Sequence, residues 1–96
     1  MLFALICTDK PGHLETRLAN RPAHVAFLEG LNAQKRLGFA GPFLDGEGKP
    51  NGSLVVIEAD DLASAEALAA QDPYARAGLF ATVEIRPWSW TFNKPA

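Results

Sequence analysis

Ninety-six residues, 48% hydrophobic and 21% charged, describe one small globular domain that buries about 60–65% of the surface its unfolded chain exposes. A formal charge of −2, with acids and bases interspersed, leaves no basic footprint for nucleic acid or an anionic membrane. A single cysteine, Cys7, excludes an internal disulfide, and the apolar stretch after Met1 is too short for a secretory or membrane segment, so the expected location is the cytoplasm.

"LFALICT", residues 2–8, is short, apolar and followed by the turn signal "DKPG", which predicts a first strand. "HLETRLAN" leaves the start of the next helix open, but Pro22 suits a first helical turn, where no N–H is needed. That helix is expected to run to about Leu37, with Gly38 as its stop. "LGFAGPFL" predicts a second strand with a Gly-Pro kink, and residues 45–52, "DGEGKPNG", a polar loop of turn formers. "SLVVIEA" predicts the third strand. "DDLASAEALAAQ" predicts a second helix, with Asp61 as N-cap and Leu62, Ala65, Leu68 and Ala69 as its apolar stripe. It ends near Gln71 or Asp72, because Pro73 pushes the residue before it out of helical geometry. In "ATVEIRPW", the fourth strand, Thr82, Glu84 and Arg86 alternate with Val83 and Ile85.

The order β-α-β-β-α-β defines an α+β, ferredoxin-like arrangement, a four-stranded antiparallel sheet with two helices on one face. Strands one and three are apolar on both sides: Leu2, Ala4 and Ile6 oppose Phe3, Leu5 and Cys7, and Leu54 and Val56 oppose Val55 and Ile57. A second apolar face of that size calls for a cover, and the simplest is another copy of the chain packed sheet to sheet about a two-fold axis. A lysine at Val55 or Ile57 is a probe of that interface, although alternation leaves open which set faces the partner.

Few polar residues sit where structure alone does not ask for them. In "NRPAHVAFLEGL", His24 falls among Phe27, Leu28 and Leu31, and a buried imidazole costs free energy unless its nitrogens find partners. Close to a helix N-terminus, the macrodipole disfavours imidazolium and leaves the ring able to accept a proton. The alternatives are a base facing a pocket and a hydrogen-bonded core residue. Asp72 in "QDPYARAGLF" is either the N-cap of a short turn opened by Pro73 or a carboxylate that reaches His24 and fixes its tautomer. The fold is compatible with both.

Arg17 and Arg21 flank the histidine and suit an anionic substrate. Gly41 and Pro42 of "AGPF" and Ser53 of "NGS" border the loop between strands two and three, where glycines let a ligand approach and Ser53 can donate a hydrogen bond. Trp88 and Trp90 share one side of a strand end and are expected to pack against a partner chain. The two histidines, His13 and His24, with no CxxC, HExxH, GxGxxG or Walker sequence, predict no metal, flavin or nucleotide cofactor. "SLVVIEA" lacks the basic and aromatic pattern of an RNA-binding strand.

Together, "RLANRPAHVAFLEGL", "AGPF", "NGSLVV", "AQDPYARAGLF" and "VEIRPW", in this order and nearly end to end, resemble the YciI family of small bacterial proteins. The resemblance implies one YciI-like domain over residues 1–96, a homodimer of the α+β-barrel type, and a paired histidine and aspartate as catalytic centre, positions that His24 and Asp72 match. Arg17, Gly41, Pro42, Ser53 and Tyr74 are then the expected substrate contacts. Some family members resemble lyases or dehydrochlorinases acting on ring compounds. Two functions stay open: a cofactor-independent lyase or hydrolase working on a small anionic or phenolic metabolite, and a non-catalytic small-ligand-binding or regulatory module.

Overall fold

The two strands that are apolar on both faces occupy the centre of the sheet. A computed structural model describes residues 1–96 as β1 (Leu2–Asp9), α1 (Leu14–Ala33), β2 (Leu37–Leu44), β3 (Pro50–Glu58), α2 (Leu62–Ala69), α3 (Pro73–Arg76) and β4 (Phe80–Trp88). The strands are ordered β2-β3-β1-β4, every neighbouring pair is antiparallel, and the architecture is ferredoxin-like α+β. Register settles which alternate set faces the helices. Phe3 pairs with Ile57, Leu5 with Val55 and Cys7 with Ser53, and all of these but the serine pack in one core with Leu31 of α1 and Ala65 and Leu68 of α2. Val55 and Ile57 are therefore core residues, and a lysine at either would enter the core rather than probe an interface.

The reverse face carries Leu2, Ala4, Ile6, Leu54 and Val56, bordered by Thr82, Glu84 and Arg86 of β4. Part of it is covered from within the chain. Trp88 and Trp90 each pack in a T-shape with Phe39 of β2, with ring centroids 5.4 and 4.9 Å away, and Val56 is left only 1% exposed. The tryptophans thus have a partner in their own chain. No helix is long and apolar enough to cross a membrane.

The largest departure from expectation is at α1. "HLETRLAN" is helical from Leu14, so Pro22 lies inside the helix and His24 ten residues beyond its first residue. The macrodipole argument for the imidazole therefore fails, because that field fades within the first turn. Pro22 is tolerated because it and Leu18, whose carbonyl loses its usual partner, are both on the exposed side, where the helix can open toward water.

Nor does Gly38 end α1. Lys35 adopts a left-handed φ of 59°, and the N–H groups of Lys35 and Arg36 close onto the carbonyls of Asn32 and Leu31. This is the glycine-type helix ending, made here by a lysine.

Asp61 caps α2 as expected, accepting from the Ser64 N–H at 2.7 Å, but the helix ends at Ala69 and Leu62 is 46% exposed. Pro50, Asn51 and Gly52 belong to β3 rather than to the loop, and Pro73–Arg76 form a third helix.

Gly52 lies where β3 passes close to β1: a Cβ there would stand 2.5 Å from the Cys7 carbonyl oxygen. Neither backbone can give way without disturbing the central pair. Gly52→Ala should cost about 1–3 kcal/mol, the range for overpacking, read as a lower urea midpoint with an unchanged slope. A variant as stable as its parent would show that the two strands part easily at this point.

Candidate active site

The buried face of α1 is a stripe of three residues, Arg17, His24 and Leu31, each seven apart and so two turns apart on one side. Leu31 enters the apolar core. The other two face a cavity between α1 and the edge of the sheet formed by β2 and β3.

Asp72 serves both of its expected roles through one atom. Its Oδ1 accepts the Tyr74 N–H at 2.9 Å, capping α3, and lies 2.8 Å from His24 Nδ1. A carboxylate only accepts, so Nδ1 carries the proton. The other ring nitrogen, Nε2, has no protein partner, is not sealed off, and belongs to a residue that borders the cavity. In the neutral ring its lone pair is therefore free.

Tyr74 fixes the imidazole from the side. The two rings stack with centroids 3.9 Å apart and planes 16° apart, and Arg17 Cζ lies over the same tyrosine at 4.6 Å from its centroid. Two planar groups cannot share one face of a six-membered ring, so Tyr74 stands between them. The two-turn rise of about 10.5 Å separating residues 17 and 24 is the gap it fills. Burial raises the pKa of the Tyr74 phenol despite the opposing charges of Arg17 and Arg21, which keeps it protonated.

Arg17 is held by a residue that the sequence reading passed over. Its Nε and Nη2 donate to the two carboxylate oxygens of Asp9 at 2.6 and 2.9 Å, and Nη2 also donates to Ser53 Oγ at 2.9 Å. Burial works against the guanidinium charge, but the Asp9 pair outweighs it and raises the Arg17 pKa. The signal for Asp9 was in the alternation: Phe3, Leu5, Cys7 and Asp9 share the helix-facing side, and only the last is charged.

The cavity has a volume of about 260 Å³, and Arg17, His24, Gly41, Pro42, Ser53 and Tyr74 all line it. Arg21 stands at its exposed rim, and Asp72 lies behind the imidazole. A cavity of about 150 Å³ holds a benzene ring, so this one suits a single ring with polar substituents. No three His, Cys, Asp or Glu side chains converge as a metal-ligand group.

Fold and site together define the class: a ferredoxin-like α+β protein with a buried histidine–carboxylate pair beside a small cavity. The chain belongs to the YCII-related domain family, whose family model matches residues 1–89. It is 39% identical over 98 residues to protein YciI of Escherichia coli and to an uncharacterised protein of Haemophilus influenzae, in each case spanning 96% of this chain and 100% of the relative. The structure of 5-chloro-2-hydroxyhydroquinone dehydrochlorinase (TftG) from Burkholderia phenoliruptrix, complexed with 2,5-dihydroxybenzoquinone, matches it with a TM-score of 0.87 and 31% identity, over 99% of this chain and 100% of that one. A NIPSNAP family protein from Agrobacterium tumefaciens matches with a TM-score of 0.56 at 17% identity, over 98% of this chain and 95% of that one, a likeness of fold alone.

Cys7 lies under the site, opposite Ser53 across the β1–β3 pair. Burial, reinforced by the Asp72 carboxylate, pushes its thiol up to about 12. The native thiol should therefore resist iodoacetamide at about pH 8 and react once urea unfolds the chain. Between its ordinary value of 9.0 and about 12, the unfolded chain loses a proton that the folded chain keeps, so stability should fall as pH rises through that window. Urea midpoints measured below and above pH 9 check the sign, and Cys7→Ala should flatten the decline.

Proposed function

We propose that the protein is a cofactor-independent enzyme of the lyase type, in which His24 Nε2 takes a proton from an acidic hydroxyl of a small phenolic or enolic ring compound. One observation carries this reading: Nδ1 of His24 is tied to Asp72, while Nε2 has no protein partner and the ring borders a cavity. The kinship with TftG, a dehydrochlorinase of a ring compound, supports it.

The division of labour follows from charge. Asp72 holds the tautomer with a free Nε2 and stabilises the imidazolium that forms when the proton arrives. Arg17 and the Ser53 hydroxyl stabilise the substrate oxygen left with negative charge. Gly41 and Pro42 of β2 border the cavity beside Ser53 and Val55 of β3.

Loss of HCl from a chlorinated hydroxyhydroquinone is a reaction these groups can perform unaided. One hydroxyl proton goes to Nε2, a second hydroxyl hydrogen moves to the carbon bearing chlorine, and chloride leaves with the C–Cl electron pair. The product is a hydroxyquinone, and no external oxidant is needed.

Chloride release and quinone absorbance, followed with 5-chloro-2-hydroxyhydroquinone as substrate, test the proposal. The parent should turn over, and His24→Ala should lose about 10²–10⁴-fold, the usual contribution of a positioned base. Asp72→Asn keeps an oxygen for both Oδ1 contacts, so it should melt like the parent yet turn over more slowly. Turnover that survives His24→Ala defeats the assignment, and tight binding without turnover by the parent identifies a ligand-binding module instead.

Two copies are further proposed to pair through the helix-free sheet face, where Leu2, Ile6 and Leu54 remain partly exposed beside one another. Sedimentation equilibrium at micromolar concentration should give a dimer, and Ile6→Lys or Leu54→Lys a folded monomer. A monomeric parent with a native circular dichroism spectrum contradicts the pairing.

A further inference from the structure

Asp9 has no part in the reaction outlined above, yet its side chain is only 6% exposed, less than the 8% of Asp72. It stands at the end of β1 on the helix-facing side, where the β1–β4 ladder shifts register between Thr8 and Asp9. At such irregularities a strand bends, and the aim of its last side chain can be adjusted on the face that alternation gives it. Here the aimed group is a carboxylate, and it meets Arg17 at two points, through Nε and Nη2.

The guanidinium is a rigid plane with its donors in a fixed fork, so fixing Nε and Nη2 also fixes the direction of Nη1. Nη1 takes no part in the bonds to Asp9 and Ser53, and Arg17 lines the cavity. Ser53 Oγ accepts from Nη2, and its own proton is engaged with no protein acceptor. What faces the ligand at this end is therefore a cation and a hydroxyl with a proton to give. That chemistry favours a carbonyl or ionised hydroxyl oxygen.

We infer that Asp9 is a positioning residue: it locks Arg17 so that Nη1 and the Ser53 hydroxyl are directed together at one oxygen of a planar hydroxylated ring. The identity of that ring rests on the function proposed above; the lock itself does not. The competing role is purely structural, a buried ion pair that holds β1 to α1 and leaves the ligand unaffected.

Calorimetric titration of 2,5-dihydroxybenzoquinone into the parent, Asp9→Asn, Arg17→Gln and the double variant separates the two. Asp9→Asn should weaken binding about 10- to 100-fold, the range for a charge-assisted hydrogen bond misdirected. Added to Arg17→Gln, it should weaken binding no further, because Asp9 acts through Arg17. Losses that add, or a Kd within twofold of the parent alongside a lower Tm, overturn the inference. Should Asp9→Asn fail to fold, Asp9→Glu keeps the charge and displaces the guanidinium by one methylene; an unchanged Kd there also overturns it.

If the parent does not bind this probe, the proposed function is what fails. The lock is then read by NMR from the Arg17 Nε–H, which should exchange slowly in the parent and in Ser53→Ala and rapidly in Asp9→Asn. Equal protection without the Asp9 carboxylate defeats the inference.

Discussion

One carboxylate oxygen, Oδ1 of Asp72, receives both the backbone N–H that begins α3 and the imidazole of α1. The site depends on that coincidence. A four-residue helix has almost no stability of its own and exists here because its N-cap is satisfied and its proline presets the first turn. Once formed, it delivers Tyr74 between Arg17 and His24, and the ring in turn holds the imidazole plane. Cap, acid partner and packing wedge thus come from three consecutive residues, Asp72, Pro73 and Tyr74.

The second carboxylate works on different terms. Asp9 and Arg17 form an ion pair about 5% exposed on each side, and burying two charges is costly unless their hydrogen bonds are complete. The pair meets that condition through two mutual bonds, with a third to Ser53 and a tyrosine face beside the guanidinium. No buried side-chain nitrogen or oxygen in the chain lacks a partner. Each carboxylate therefore serves one functional group on the α1 stripe, Asp9 the arginine and Asp72 the histidine.

The succession of four strands and two longer helices along the chain was legible in the sequence because hydrophobic period and turn residues agree along most of it. The cap at Asp61 and the proline at position 73 could be read locally, since a cap acts within three residues. What local reading misplaced was the start of α1. Pro22 is a strong helix-start signal, and only burial of Arg17, a contact with the distant Asp9 and Ser53, shows that the helix had begun two turns earlier. With that turn unassigned, Arg17 could not be placed on the His24 stripe. Lys35 was hidden for a related reason: a non-glycine residue at positive φ is held there by the surrounding hydrogen bonds and carries no mark in composition.

The span from His24 to Asp72 covers 48 positions of sequence, and between them lie β2, β3 and α2. A contact that distant requires the intervening chain to be gathered, at the cost of its loop entropy. A chain that has made its hairpin and long helix but has not docked α3 has an imidazole without its acid and a cavity missing its aromatic side. Such a chain lacks both the buried pair and the closed cavity, so the site exists only in the complete fold.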